Sequence, residues 1–216
     1  MLFNAIIFDL DGTLLNTLGD ISDSVNRILS REGFPNHNEE KIRSFIGHGT
    51  KSLILNSLPP DKRDNYSVQN YLDAFLIDYS QNYYKKTFPY NGITEMLDEL
   101  TKKGIVMAVF TNKPDSLAKD CINKLLPEWK FEVILGSNDS FPLKPDPAGA
   151  LYISEKLNIQ PAEFLFLGDS VVDIKTGLSA GMFPVGALWG FQPDELIEYG
   201  AQSLIKDPME IIKYLT

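Results

Sequence analysis

Four short stretches of this 216-residue chain carry side chains able to bind and activate an anion. Asp9-Leu10-Asp11-Gly12-Thr13 puts two carboxylates two residues apart beside a glycine that allows close backbone approach. Thr111-Asn112 offers a hydroxyl, an amide and backbone N–H groups, all of which can meet phosphate oxygens. Lys144-Pro145-Asp146-Pro147 presents an ammonium from a loop stiffened by two prolines. Gly168-Asp169-Ser170-Val171-Val172-Asp173 adds two more acids, four residues apart. Brought together, Asp9, Asp11, Asp169 and Asp173 would face the single cation Lys144 in a partly dry crevice, which is costly without a counter-ion. A divalent cation is therefore expected. All the candidate ligands are oxygens, with no His or Cys beside them, and that choice favours Mg²⁺ over Zn²⁺.

The elements that must position these groups can be read from apolar runs. Residues 5–8 form a short, fully apolar run ending at Asp9, the pattern of a strand buried on both faces. Similar runs recur at 105–110, 133–135, 164–167 and 183–185. Between them lie amphipathic helical patterns. Residues 92–103 carry Ile93, Met96, Leu97 and Leu100 and stop at Gly104; residues 114–126 repeat the spacing. Asp146-Pro147 reads as an N-cap followed by proline at the first helical position, and 173–180 form a further helix closed by Gly181. Strands alternating with such helices make βαβ units and a parallel sheet. The carboxyl ends of strands in such a sheet form the ligand crevice, and three of the four stretches lie at strand ends.

From about residue 17 to residue 84 that rhythm stops, and no buried-strand run occurs. Apolar residues there keep helical spacing: Ile21, Val25, Ile28 and Leu29, then Ile42, Phe45 and Ile46, then Tyr71, Leu72, Phe75, Leu76 and Tyr79. An all-helical insertion after the first strand is the expectation. The chain then divides into 1–16 plus 85–216 as an α/β core and 17–84 as a helical cap.

Composition narrows the partners. A net charge of −9, without a Lys/Arg cluster, argues against a nucleic acid held through its phosphates. No apolar stretch approaches the length needed to span a bilayer, and the N-terminal run lacks the basic leader of a signal peptide. The single cysteine, Cys121, excludes an intramolecular disulfide and reads as a core residue in a reducing compartment. A cytoplasmic protein with no membrane partner is expected. Its oligomeric state is not legible.

The set Asp9-x-Asp11-Gly12-Thr13, Thr111, Lys144 and Gly168-Asp169-Ser170-x-x-Asp173, in this order and on these elements, resembles the haloacid dehalogenase superfamily of phosphatases. The resemblance spans the chain, including the position of the helical insertion. It implies a Rossmann-like parallel sheet in the order 3-2-1-4-5, Mg²⁺ as cofactor and a small phosphorylated metabolite as substrate. It also implies roles. Asp9 would be the nucleophile that forms an aspartyl-phosphate, and Asp11 the general acid and then base. Thr111 and Lys144 would hold the phosphoryl oxygens with help from Asn112. Asp9, the main-chain carbonyl of Asp11, and Asp169 would bind the metal, with Gly12, Ser170 and Asp173 in support. Asp11 argues against dehalogenation, since halide-releasing members lack an acid two residues after the nucleophile.

Residues 33–35 and 43–49 of the insertion resemble the cap of phosphoglycolate phosphatases. On that likeness Arg43 would pair with a substrate carboxylate, and Gly47 and His48 would face the substrate. A phosphosugar mutase, and a nucleotidase or pyrophosphatase of the same fold, are the enzymatic alternatives; Thr13 favours hydrolysis over the mutase. A phospho-accepting signalling domain also gathers such groups, but it needs about half this length and an acceptor on a middle strand.

Overall fold

The computed structural model describes residues 3–215. Its centre is a six-stranded parallel sheet built from β1 (Ala5–Phe8), β4 (Val106–Pro114), β5 (Val133–Ser137), β6 (Phe164–Gly168), β7 (Phe183–Ala187) and β8 (Ser203–Ile205), in the order β5-β4-β1-β6-β7-β8. Counting these strands along the chain gives 3-2-1-4-5-6, the expected order with one strand added at the edge. β1 lies in the middle, with Phe8 in register with Val109 on one side and Leu167 on the other.

Because side chains alternate along a strand, β1 feeds two cores. Ile6 and Phe8 join Ile93, Met96, Leu97 and Leu100 of α5 (Ile93–Lys102) and Ala118, Cys121 and Ile122 of α6 (Asp115–Leu125). Ala5 and Ile7 face the other layer, with Ala150 and Ile153 of α7 (Ala148–Leu157) and Ala180 and Met182 after α8 (Val171–Ser179). Burial on both faces is what makes these strands read as continuous apolar runs. Cys121 is fully enclosed, and burial pushes its thiol up to about 11, so it is a core residue. The helix expected to open at Pro147 starts one residue later, with Asp146 accepting the Ala148 N–H. α8 starts two residues earlier than its apolar pattern indicates, because Ser170 and Asp173 form a reciprocal cap.

Residues 17–84 hold α1 (Leu18–Arg31), α2 (Glu39–Arg43), α3 (Thr50–Ser57), a short 3-10 turn (Pro60–Lys62) and α4 (Asn65–Ser80). Val25 and Leu29 of α1, Ile42 of α2, Leu53 of α3, and Phe75 and Tyr79 of α4 form a separate apolar cluster. It meets the sheet side of the molecule through Leu117 and Phe191. Arg27 locks α1 to α4 by a forked contact with Asp78, as close as 2.6 Å. The way out and the way back are tied together. β2 (Leu15–Asn16) pairs antiparallel with β3 (Phe88–Pro89), and the buried Asp20 carboxylate accepts the N–H groups of Lys86 and Thr87 and the Thr87 hydroxyl.

Candidate active site

The four sequence stretches meet at the carboxyl edge of the sheet. Asp9 leaves β1 with its N–H bonded to the Leu167 carbonyl at 2.9 Å. Lys144, in the loop before α7, reaches Asp9 Oδ1 at 2.7 Å and Asp173 Oδ1 at 2.5 Å. Asn112 fixes that loop: its Oδ1 accepts the Lys144 N–H at 2.8 Å, and its Nδ2 donates to the Lys144 carbonyl at 3.1 Å and to the Gly47 carbonyl at 3.0 Å. One side chain thus joins the lysine loop to the loop between α2 and α3. Ser170 donates its hydroxyl to Asp173 Oδ2 at 2.6 Å, which leaves the other oxygen of Asp173 for Lys144. Asp169 is held by the Thr13 hydroxyl on Oδ1 and the Phe191 N–H on Oδ2, each at 2.7 Å.

Close packing explains two glycines here. A Cβ on Gly12, whose φ is +96°, would stand 2.4 Å from Asp169 Oδ2; one on Gly190 would stand 2.1 Å from the Asp169 Cβ. Either methyl would evict the Asp169 side chain from its place.

The electrostatics favour binding of a cation. Burial, reinforced by Asp173, raises the Asp9 carboxyl to about 6 although Lys144 opposes the shift. Burial, with the charges of Asp173 and Asp9, raises Asp169 to about 8. Burial alone would lower the Lys144 ammonium, but Asp173 and Asp9 outweigh it and hold the ammonium above its usual value. One shared ammonium therefore cannot satisfy three buried acids. Carboxylate oxygens of Asp9, Asp169 and Asp173 lie within 4.8 Å of one another, an all-oxygen donor set suited to a hard divalent cation. The residues fit such an ion.

The sequence reading set four acids against one lysine, and here the structure corrects it. Lys113 is a second buried cation, its side chain 3% exposed, with Nζ 3.0 and 3.2 Å from the two oxygens of Asp11 and 2.9 Å from the Tyr79 hydroxyl. Burial opposes its charge, yet Asp11 and Tyr79 overcome this and hold the ammonium well above the ordinary lysine value. The strand was expected to stop at Phe110. It runs on to Pro114, with a register shift between Phe110 and Pro114. The irregular pairing there leaves no simple period by which the sequence could have singled out Lys113.

A cavity of about 60 Å³ opens over these groups. Asp9, Asp11, Thr111, Asn112, Lys113, Lys144, Ser170 and Asp173 line its sheet side. Ile21, Ile46, Leu53, Phe75 and Tyr79 wall it from the helices. Gly47 lines it as well, whereas Arg43 and His48 are exposed and not part of the lining. Ile46 is fixed by Gln192, whose Nε2 donates to its carbonyl at 2.8 Å.

Residues 6–187 match the model of the haloacid dehalogenase-like hydrolase family. The chain belongs to that family, as the parallel sheet and the acid–lysine cluster at its carboxyl edge require. Within it, the chain is 34% identical over 195 residues to a phosphoglycolate phosphatase of Haemophilus influenzae, covering 88% of this chain and 87% of that one. An N-acetylmuramic acid 6-phosphate phosphatase of Pseudomonas aeruginosa is 29% identical over 217 residues, covering 100% of this chain and 96% of the relative. The crystal structure of a predicted phosphoglycolate phosphatase from Haemophilus somnus superposes with a TM-score of 0.89 at 28% identity, covering 98% and 97% of the two chains. No helix among the described residues is long and apolar enough to cross a membrane.

Proposed function

We propose that the chain is a Mg²⁺-dependent phosphomonoester hydrolase for a small metabolite of the phosphoglycolate kind, working through an aspartyl-phosphate on Asp9. The observation that carries this reading is the buried cluster in which Asp9 shares Lys144 with Asp173, opens on the cavity and stands beside Asp169. Asp9 Oδ2 has no hydrogen-bond partner among the described residues, so the oxygen that must attack is not engaged. Attack forms the Asp9 O–P bond and breaks the bond from phosphorus to the leaving alcohol, whose oxygen takes the proton of Asp11, which enters this step as the carboxylic acid and leaves it as the carboxylate. Asp11 then accepts a proton from the water that cleaves the acyl phosphate, returning Asp9 and inorganic phosphate.

A carboxylate approaching a phosphate dianion is repelled, so positive charge and donors must surround the phosphoryl oxygens. Lys144 and Thr111 supply these, with the Asn112 backbone beside them. Asp9, Asp169 and the Asp11 main chain would hold the Mg²⁺, whose chemistry is charge neutralisation at the phosphoryl group. Asp173 keeps Lys144 aimed, and the cap formed by 17–84 excludes water, turning on the paired β2 and β3. A single buried thiol suits a reducing cytoplasm.

Phosphate release from 2-phosphoglycolate should require Mg²⁺ and stop on chelation. Asp9→Asn should lower it roughly 10⁴-fold or more; near-normal release by this variant would remove Asp9 as nucleophile.

A further inference from the structure

We propose that Lys113 selects the substrate, by binding an anionic group carried one or two carbons from the ester oxygen. This rests on the hydrolase reading above and concerns the other half of the bound molecule. Lys113 and Lys144 are the cations among the residues that line the cavity. Lys144 is engaged by Asp9 and Asp173 on the phosphoryl side. Lys113 lies where the leaving alcohol must sit, because its ammonium touches Asp11, the group assigned to that alcohol's oxygen.

Two hydrogen bonds in sequence, ester oxygen to Asp11 and Asp11 to Lys113, set the span. Each is about 3 Å, so Lys113 Nζ lies at most roughly 6 Å from the ester oxygen, and an anion bonded on the near side of the ammonium, about 3 Å from it, lies roughly 3–6 Å from that oxygen. A carboxylate on a one- or two-carbon alcohol has that reach. The remaining walls on this side are mostly apolar, Ile21, Leu53, Phe75 and Leu117, with Thr50 the polar exception, and offer few partners to the several hydroxyls of a sugar. In so dry a pocket a buried ammonium is a strong reader of charge, and a substrate that brings no anion cannot use it.

This reading assigns to Lys113 the recognition that the sequence pattern alone gave to Arg43, which is exposed and outside the cavity lining. The two assignments are separable. The ratio of kcat/KM for 2-phosphoglycolate to that for 2-hydroxyethyl phosphate, its neutral counterpart of equal length, should be on the order of 10- to 100-fold in the unmodified protein. Lys113→Met should reduce that ratio to within about threefold of unity, chiefly through KM for the carboxylated ester. Lys113→Gln should do the same if the methionine variant fails to fold, and Lys113→Arg should keep the preference.

An equal fall for both esters, with the ratio intact, would show that Lys113 only positions Asp11 and would overturn the proposal. So would a ratio that collapses in Arg43→Met and survives in Lys113→Gln, or an unmodified protein that treats the two esters alike. Failure to release phosphate from either ester by the unmodified protein would overturn the hydrolase reading itself, a result distinct from the other three.

Discussion

At the sheet end of the cavity one ammonium, Lys144, serves two carboxylates, Asp9 and Asp173, with a third acid, Asp169, close by. Where the sheet edge meets Tyr79 of α4, a second ammonium, Lys113 of β4, serves one carboxylate, Asp11, and that phenol. The first end has more acids than cations, and burial first, then the neighbouring carboxylates, raises two of them to about 6 and about 8. The second end is locally balanced. On the proposed reading, similar residue types prepare different guests: a cation plus a phosphoryl group at one end, and an organic anion able to share the ammonium at the other.

Removing each lysine tests that contrast. Lys144→Met leaves Asp9 and Asp173 buried without their cation, and should cost about 3–5 kcal/mol of stability in chelator, with loss of activity. Lys113→Met leaves one carboxylate, Asp11, whose side chain is 14% exposed and can recruit water, and the neutral Tyr79 hydroxyl, and should cost about 1–3 kcal/mol. Urea unfolding of the two variants measures the difference. Equal losses would mean that the two ends carry the same charge burden.

A smaller effect follows from pH. Asp9 and Asp169 titrate above the ordinary value of 3.8 in the folded chain. Without cation, the folded state retains protons that the unfolded state has already lost. Stability in chelator should therefore fall as pH rises from about 4 to about 8. A cation competes with those protons, so the gain in Tm from Mg²⁺ should grow over the same window and level off above it. At a hundredfold excess over Kd the gain should reach roughly 5–10 °C at the upper end. Thermal melts across this range with Mg²⁺ or chelator decide the point, and a gain independent of pH would contradict the excess charge at the sheet end.

The same contrast explains what the sequence could say. Asp9, Thr111, Lys144 and Asp169 were legible because each follows, or sits in a stiff loop near, an apolar run, and the open edge of a parallel sheet collects such positions. Lys113 was not legible, because β4 was read as ending where its apolar residues end, while the strand runs on, irregularly paired, to Pro114. Tyr79 matched the helical period of α4, and the period does not tell that it is core on one side and cavity wall on the other. Gly190 and Gln192 belong to no motif. Their importance arises from contacts with Asp169 and Ile46, distant in sequence. Strand β8 has three residues, too few for a pattern. The insertion's helices followed from their period, but which of its side chains enter the cavity depends on how the segment at 44–49 turns, and spacing carries no record of that.

The most direct measurement is to quench the protein in acid during turnover of 2-phosphoglycolate with Mg²⁺ and map the phosphoryl group by mass spectrometry. An acid-stable but alkali-labile phosphoryl group on the Asp9 side chain, absent from Asp9→Asn, is the expected result. Continued turnover with the phosphoryl group on another residue, or a fully active Asp9→Asn, would contradict it.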